Sequence, residues 1–143
     1  MILKRIELTN FRNYHHLSTR FYKGINIIYG DNAQGKTNLL ESIYVLGITK
    51  SHRSFIDNNL IKDNEKRAIV SGSINKGGLD INLSVTIENN KKGLKLDNSQ
   101  IKKVSDYISN MNIIIFYPDD LELLKGSPQI RRKYFNLELS QLY

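Results

Sequence analysis

The chain has 143 residues, 40% of them hydrophobic, and its 21 lysines and arginines outnumber 14 acidic residues to give a net charge of +7. It contains no cysteine, which excludes disulfides and thiolate metal sites, and its three histidines lack a metal-ligand spacing. No apolar run is long enough to span a membrane, and the N-terminus lacks the apolar region of a signal peptide. We therefore expect one cytoplasmic domain, whose basic charge permits contact with nucleic acid.

Three strands are predicted before the first motif. Residues 2–8 alternate imperfectly and indicate a first strand, and residues 17–21 indicate a second. A turn at Gly24 leads into residues 25–29, which are rich in β-branched and aromatic side chains. That composition predicts a short buried strand directly before the motif.

The motif is a phosphate-binding loop of the form G-x-x-x-x-G-K-T, made of Gly30, Asp31, Asn32, Ala33, Gln34, Gly35, Lys36 and Thr37. Its glycines let the backbone curl, so that successive N–H groups can point at a β-phosphate. Lys36 offers an ammonium to the β- and γ-phosphates, and the Thr37 hydroxyl can take one place on Mg²⁺. The positive end of a helix starting at Lys36 would face the same anion. The loop predicts binding of a nucleoside triphosphate with Mg²⁺.

A helix is predicted to follow the loop, because apolar residues recur at helical spacing at Leu39, Leu40, Ile43 and Leu46. Gly47 stands where a C-terminal cap belongs. Residues 49–55 then form a polar connection that carries Lys50, His52 and Arg53.

The middle of the chain is predicted to be antiparallel sheet. Residues 68–74 and 79–88 flank a turn at residues 75–78, which favours a hairpin. In the second strand, apolar residues alternate strictly with polar ones, as in a strand with one buried and one solvated face. A further strand is predicted at residues 94–96.

The last part of the chain is predicted to contain a short helix at residues 102–109 and an apolar strand at residues 112–116. Pro118 stops that strand, and Asp119 or Asp120 caps a brief helix. An amphipathic helix begins after Pro128, with a basic edge at residues 131–133 for which we favour an exposed face over a DNA contact. Its pattern still runs at residue 143, so we expect an incomplete domain.

A carboxylate that follows an apolar strand would hold Mg²⁺ and polarise the attacking water. Asp119 is the nearest candidate, but Tyr117 and Pro118 separate it from the strand and turn the chain. The helix-cap interpretation fits Asp119 better. We therefore expect this chain to bind nucleotide and to hydrolyse little of it.

Four kinds of function can be compared. A GTPase would need Asn-Lys-x-Asp, whereas residues 75–78 read Asn-Lys-Gly-Gly in a hairpin turn. A small P-loop kinase acting on a metabolite could use residues 50–55 or 131–133 as a lid, but antiparallel strands follow the loop where βα units would be expected. A phosphate-loop helix flanked by antiparallel sheet favours a mixed α/β fold, the head of an ABC-type ATPase. A DNA-binding module with a vestigial loop is the fourth.

Four segments carry a resemblance to a known family. Residues 8–14 (LTNFRNY), together with the loop and the residues 38–43 that continue it (NLLESI), look like an SMC-like ATPase head. Residues 50–55 (KSHRSF) and 116–135 resemble the RecF family of bacterial recombinational-repair ATPases. The resemblance implies that residues 1–143 are the N-terminal ATP-binding lobe of the head, with the C-terminal lobe and its catalytic acids and signature motif absent. It implies a cytoplasmic ATPase that dimerises around ATP, binds DNA, works with recombination mediator proteins and helps to load RecA at single-strand gaps.

The resemblance also assigns roles to residues outside the loop. Arg12 and Asn13 would approach the nucleotide, Asn38 would extend its site, and Arg53 would join Lys36 in catalysis as an arginine finger near the γ-phosphate. Each has a simpler alternative: Arg12 could cap a turn, and Arg53 could be a solvated loop residue. Two departures from the family are the missing glutamine near residues 113–116 and Asn136 in place of an aspartate. We expect three aromatic residues to be core: Phe11, Phe21 and Phe116.

Overall fold

The computed structural model of the chain describes residues 1–116 and 127–139. The elements in chain order are β1 (Ile2–Phe11), β2 (Tyr14–Arg20), α1 (Lys36–Ile48), a 3₁₀ helix (Asp57–Leu60), β3 (Arg67–Lys76), β4 (Leu79–Glu88), β5 (Lys91–Leu96), β6 (Ser99–Ile101), α2 (Val104–Ile108) and α3 (Pro128–Leu139). Within the described residues, no helix is both long and apolar enough to cross a membrane.

The strands form one antiparallel sheet in the order β2-β1-β3-β4-β5-β6. Tight turns join its last four strands, and residues with positive φ occupy each of them: Gly77 and Gly78, Asn89 and Asn90, Asp97 and Asn98. Glycine, asparagine and aspartate are the residue types that such two-residue hairpin turns require. The predicted hairpin is therefore confirmed, whereas the three-residue β6 is too short to give an alternation signal in the sequence.

The core lies between one face of this sheet and α1. Strand β4 buries Leu83, Val85 and Ile87 on that face, as its alternation predicts, and the opposite face is polar. Helix α1 lays Val45 and Leu46 against the same face, and both are fully buried. This packing fixes the start of α1, and with it the phosphate loop, relative to β1 and β3.

Helix α1 approaches the sheet closely at Gly72 in β3. A Cβ atom at this position would lie 2.7 Å from Leu46 Cδ2 and 2.8 Å from the backbone oxygen of Arg5 on the neighbouring strand. The Arg5 oxygen belongs to the sheet and cannot yield without disturbing the pairing of β1 with β3. Only glycine fits this contact.

We expect Gly72→Ala to lower the free energy of unfolding by about 2 kcal/mol, the usual cost of forcing an extra methyl group into a packed core. Urea denaturation would measure it. Gly93→Ala in β5 is the matched control, since the nearest atom to its Cβ is 3.7 Å away and the change should be small. Equal effects of the two substitutions would contradict this account of the contact between helix and sheet.

The prediction of a buried strand at residues 25–29 is wrong, because the described structure has no strand there. Ile25, Ile27 and Tyr29 are 93%, 81% and 89% exposed, and these residues pair with no described strand. Asn26 instead closes a local loop through its bonds to the backbone of Tyr22 and Gly24. Composition indicates a preference for extended backbone, but a strand also needs a neighbour for its hydrogen bonds.

Gly47 is not the C-terminal cap of α1. The helix continues to Ile48, and Thr49 ends it in the left-handed conformation with its N–H donating to the Val45 oxygen. A Cβ on Gly47 would lie 3.1 Å from the Ile113 side chain, so the residue allows the segment after α2 to approach the helix. The helical spacing therefore predicts the wrong role for this glycine, which makes room for Ile113 and does not cap the helix.

The strand predicted at residues 112–116 is absent from the structure of that segment, and Phe116 is 77% exposed, which corrects its assignment to the core. Phe11 is fully buried and Phe21 packs against the core, as predicted. The expected short helix is confirmed as α2, and the helix after Pro128 as α3, with Arg131 and Arg132 exposed. The assignments to Tyr117, Pro118, Asp119 and Asp120 lie outside the described residues, as do residues 140–143.

Candidate functional site

The phosphate loop has the backbone that its sequence predicts. Gly30, Ala33 and Gly35 all have positive φ, at 146°, 64° and 100°. Glycine adopts such angles without strain, and Ala33 adopts one despite its Cβ. Lys36 begins α1, and among the described residues no side chain caps the helix at Gly35. The N–H groups of the first turn are therefore available to an anion in front of the helix.

The Lys36 side chain lies across this loop. Its ammonium donates hydrogen bonds to the carbonyl oxygens of Gly30 (2.7 Å) and Asp31 (2.6 Å). Both acceptors belong to the loop itself, so the ammonium is held at the loop. Thr37 follows in the first turn of α1 and is exposed.

Asn13 and Tyr14, at the turn from β1 into β2, lie close to the loop at Gly35. A Cβ on Gly35 would lie 2.7 Å from the Tyr14 hydroxyl and 2.9 Å from Asn13 Nδ2. Gly35 is thus required both by its backbone angle and by this close approach. Burial against the loop raises the pKa of the Tyr14 hydroxyl above its ordinary value.

A buried carboxylate lies one turn into α1. The Glu41 side chain is 0% exposed, and its two oxygens accept hydrogen bonds from Arg12 Nη2 (2.7 Å) and Nε (2.9 Å). Arg12 has a left-handed backbone (φ 54°) and donates through Nη1 to the Asn59 carbonyl oxygen (2.7 Å). This bidentate pair joins the end of β1 to the helix that carries the phosphate loop.

The connection after α1 contacts the same carboxylate. Ser51 Oγ donates to Glu41 Oε1 at 2.5 Å, and Arg53 Nη1 lies 3.4 Å from Oε2. The same Arg53 nitrogen donates to Asn38 Oδ1 at 2.9 Å, and Asn38 Nδ2 donates to Asn13 Oδ1 at 2.8 Å. Six side chains thus form one connected set, called here the Glu41 network: Arg12, Asn13, Asn38, Glu41, Ser51 and Arg53.

Burial would raise the pKa of Glu41, but the hydrogen bonds from Arg12 and Ser51 and the charges of Arg12 and Arg53 outweigh burial. The net result is a pKa below the ordinary value of 4.5. The network therefore holds Glu41 as a carboxylate at neutral pH.

A lowered pKa makes stability depend on pH, with a sign that can be tested. The ionised form of Glu41 favours the folded state at pH values above its ordinary pKa, and that contribution is lost as the pH falls through the lowered one. We expect the free energy of unfolding, measured with urea between pH 6 and pH 3, to fall more steeply for the wild-type chain than for Glu41→Gln. Parallel pH profiles would contradict this.

The structure brings together the four residues outside the loop that the sequence analysis places near a nucleotide. Their contacts with one another could not be predicted from the sequence. Asn13 and Asn38 lie beside the loop, Arg53 joins them, and the Arg12 guanidinium lies on Glu41. The exposed loop residues are Gly30, Asp31, Asn32, Ala33, Gln34 and Thr37. The roles of all these residues toward a nucleotide stay predictions.

Glu41, Ser51 and Tyr14 were missed as members of the site. One signal for Glu41 is present in the sequence, because it is a charged residue among the mostly apolar residues 39–48 of α1. Its partners come from 29 residues before and 10 residues after it in the chain. Such distant partners cannot be read from spacing within a helix.

Comparison with known proteins gives a consistent result. Residues 2–121 match the family described as RecF/RecN/SMC N terminal domain. The DNA replication and repair protein RecF of Streptococcus suis is 43% identical over 142 residues, which are 99% of this chain and 39% of that protein. The protein of the same name from Clostridium novyi is 46% identical over 143 residues, 99% of this chain and 40% of its own length. The chain therefore spans about two fifths of the curated relatives that it matches.

Solved structures agree with the sequence relatives. The recombination mediator protein RecF-ATPrS of the RecFOR pathway superposes with a TM-score of 0.92 at 33% identity, covering 99% of this chain and 39% of that one. The SMC head domain from Thermotoga maritima superposes over 74% of this chain and 40% of its own with a TM-score of 0.60. At 21% identity the second likeness concerns the fold alone. The fold is the predicted one, part of a P-loop ATPase head of the ABC and SMC type.

Proposed function

The chain belongs to the RecF/RecN/SMC N-terminal domain family, and from this membership we propose that it is the ATP-binding part of a RecF-type DNA replication and repair protein. The observation that carries the proposal is the phosphate loop, in which Lys36 is bonded to the loop's own carbonyl oxygens at a helix start that no side chain caps. Backbone N–H groups, a helix N-terminus and one mobile ammonium are the combination that binds the β- and γ-phosphates of a nucleotide.

In this proposal the loop of residues 30–37 binds the phosphates, and the exposed Thr37 hydroxyl is one ligand of the Mg²⁺ that accompanies ATP. Mg²⁺ fits here because it is bound in such sites through few protein ligands, with phosphate oxygens and water supplying the rest. Its chemistry is to neutralise charge on the β- and γ-phosphates. Arg53 lies near the start of α1 and would stabilise charge on the terminal phosphate.

The remaining parts of the proposal come from the relatives. The matched proteins are named for DNA replication and repair and for recombination mediation. For this chain we accordingly propose DNA, recombination mediator proteins and a second copy of the protein around ATP as partners. The net charge of +7 supports contact with DNA. Hydrolysis by this chain alone is expected to be slow.

A series of nucleotides tests the proposal. Equilibrium dialysis of the chain with Mg²⁺ should give saturable binding of ATP and ADP and much weaker binding of AMP, because the loop recognises the β-phosphate. GTP as competitor reports on base preference. Binding of AMP as tight as that of ATP, or no binding of any nucleotide by a folded chain, would contradict the proposal.

A further inference from the structure

Glu41 contacts both arginines for which the sequence suggests a role at the nucleotide, yet it lies inside the protein and cannot touch a nucleotide itself. We propose that Glu41 is a positioning residue, which holds Arg53 beside the phosphate loop so that Arg53 can bind the terminal phosphate of ATP. The inference rests on the proposed function, since it assumes that phosphates occupy the loop.

The two arginines are bound to Glu41 in different ways. Arg12 makes two short hydrogen bonds to the carboxylate, at 2.7 and 2.9 Å, and its side chain is 21% exposed. Arg53 makes one longer contact, at 3.4 Å, and its side chain is 45% exposed. Arg12 is therefore the fixed partner that orients the carboxylate, and Arg53 is the partner that can leave.

Glu41 also positions the backbone of Arg53. Ser51 Oγ donates to Glu41 Oε1 (2.5 Å) and accepts hydrogen bonds from the N–H groups of Arg53 (2.9 Å) and Ser54 (3.0 Å). A single carboxylate thus holds the turn from which Arg53 projects as well as its guanidinium. Both contacts limit the directions in which the side chain can move.

Asn38 places the Arg53 guanidinium at the start of α1. Its Oδ1 accepts from Arg53 Nη1 at 2.9 Å, and it follows Thr37 directly in the first turn of the helix. In the structure, the Arg53 guanidinium contacts one amide oxygen and one carboxylate oxygen 3.4 Å away. A terminal phosphate bound at this helix start would offer Arg53 charged oxygens instead. Charge-assisted hydrogen bonds are the stronger ones, so exchange of partners is favoured once ATP binds.

This arrangement predicts that loss of the Glu41 charge changes the selectivity for ATP over ADP. Only ATP has the terminal phosphate that Arg53 would bind, whereas ADP and ATP share the β-phosphate that the loop recognises. Loss of the Glu41 charge should therefore weaken ATP binding and leave ADP binding nearly unchanged. A residue that merely stabilised the fold would weaken both nucleotides together.

The test compares the dissociation constants of Mg-ATP and Mg-ADP for the wild-type chain, Glu41→Gln, Arg53→Ala and the double variant. Glu41→Gln should lower the preference for ATP by about tenfold, the loss of one charge-assisted contact, and should have no further effect once Arg53 is alanine. Glu7→Gln is the matched control, because Glu7 pairs with Arg5 on the solvated face of the sheet. The preference of the Glu7→Gln variant for ATP over ADP should equal that of the wild type.

Ser51→Ala gives a second route to the same result if Glu41→Gln fails to fold, because it removes the anchor of the Arg53 turn and leaves the carboxylate in place. It should also lower the preference for ATP. An unchanged preference in Glu41→Gln and Ser51→Ala, or an equal loss of ATP and ADP affinity, would overturn the inference and leave the proposed function standing. A wild-type chain that binds neither nucleotide would instead overturn the proposed function, and the inference with it.

Discussion

Replacing Glu41 with alanine is expected to lower the free energy of unfolding by about 3 kcal/mol, because it removes one partner of a buried ion pair. Arg12 would keep its charge in a setting where its side chain is only 21% exposed, with two of its donors left without their acceptor. Ser51 would lose its acceptor as well. Urea denaturation, monitored by circular dichroism, would measure the change in the free energy of unfolding.

Glu7→Ala is the control for this prediction. Glu7 also forms an ion pair with an arginine, Arg5, but the two side chains are 40% and 48% exposed. Exposed pairs of this kind contribute about 0–1 kcal/mol, so the control should be nearly neutral. Similar losses of stability in the two variants would show that the Glu41 network does not stabilise the fold in the way that its geometry indicates.

Replacing Lys36 with alanine is expected to weaken Mg-ATP binding by about 30-fold or more, the equivalent of one lost hydrogen bond from a charged donor. The ammonium lies within the loop, bonded only to the loop's own carbonyl oxygens of Gly30 and Asp31 among the described residues. Both of these acceptors lie in the loop and not in the core, so the free energy of unfolding should hardly change. Fluorescence titration with a labelled ATP analogue, beside urea denaturation, separates the two effects.

Lys66→Ala removes the same charge from an exposed position between the 3₁₀ helix and β3. It should leave ATP affinity unchanged, which would show that the effect of Lys36 is local and does not follow from the net charge. Equal binding by the wild-type chain and Lys36→Ala would mean that the loop does not bind phosphate.

Features determined by neighbouring residues were predictable from the sequence. The loop of residues 30–37 and the start of α1 follow from glycines, a lysine and helical spacing within one short segment. The hairpin between β3 and β4 follows from two adjacent glycines and strict alternation. In each case the residues that specify the structure are also the residues that adopt it.

The features that could not be predicted depend on distant partners. Residues 25–29 have the composition of a buried strand, but whether they are buried is decided by what lies beside them. Glu41 can be recognised as part of a site only once folding has brought Arg12 and Ser51 to it. Gly47 and Gly72 matter because of the atoms that approach them, from Ile113 and from Leu46.

The most direct test of a phosphate-binding site at this loop is to map amide chemical shifts in two-dimensional NMR spectra during titration with Mg-ATP. We predict saturable shifts at the amides of residues 30–37, reduced in Lys36→Ala, with smaller shifts at Asn38 and Arg53. The outer face of the sheet around Ser71 and Ser84 should remain unaffected. Saturable shifts confined to another surface, or none at residues 30–37 of a folded chain, would contradict the account.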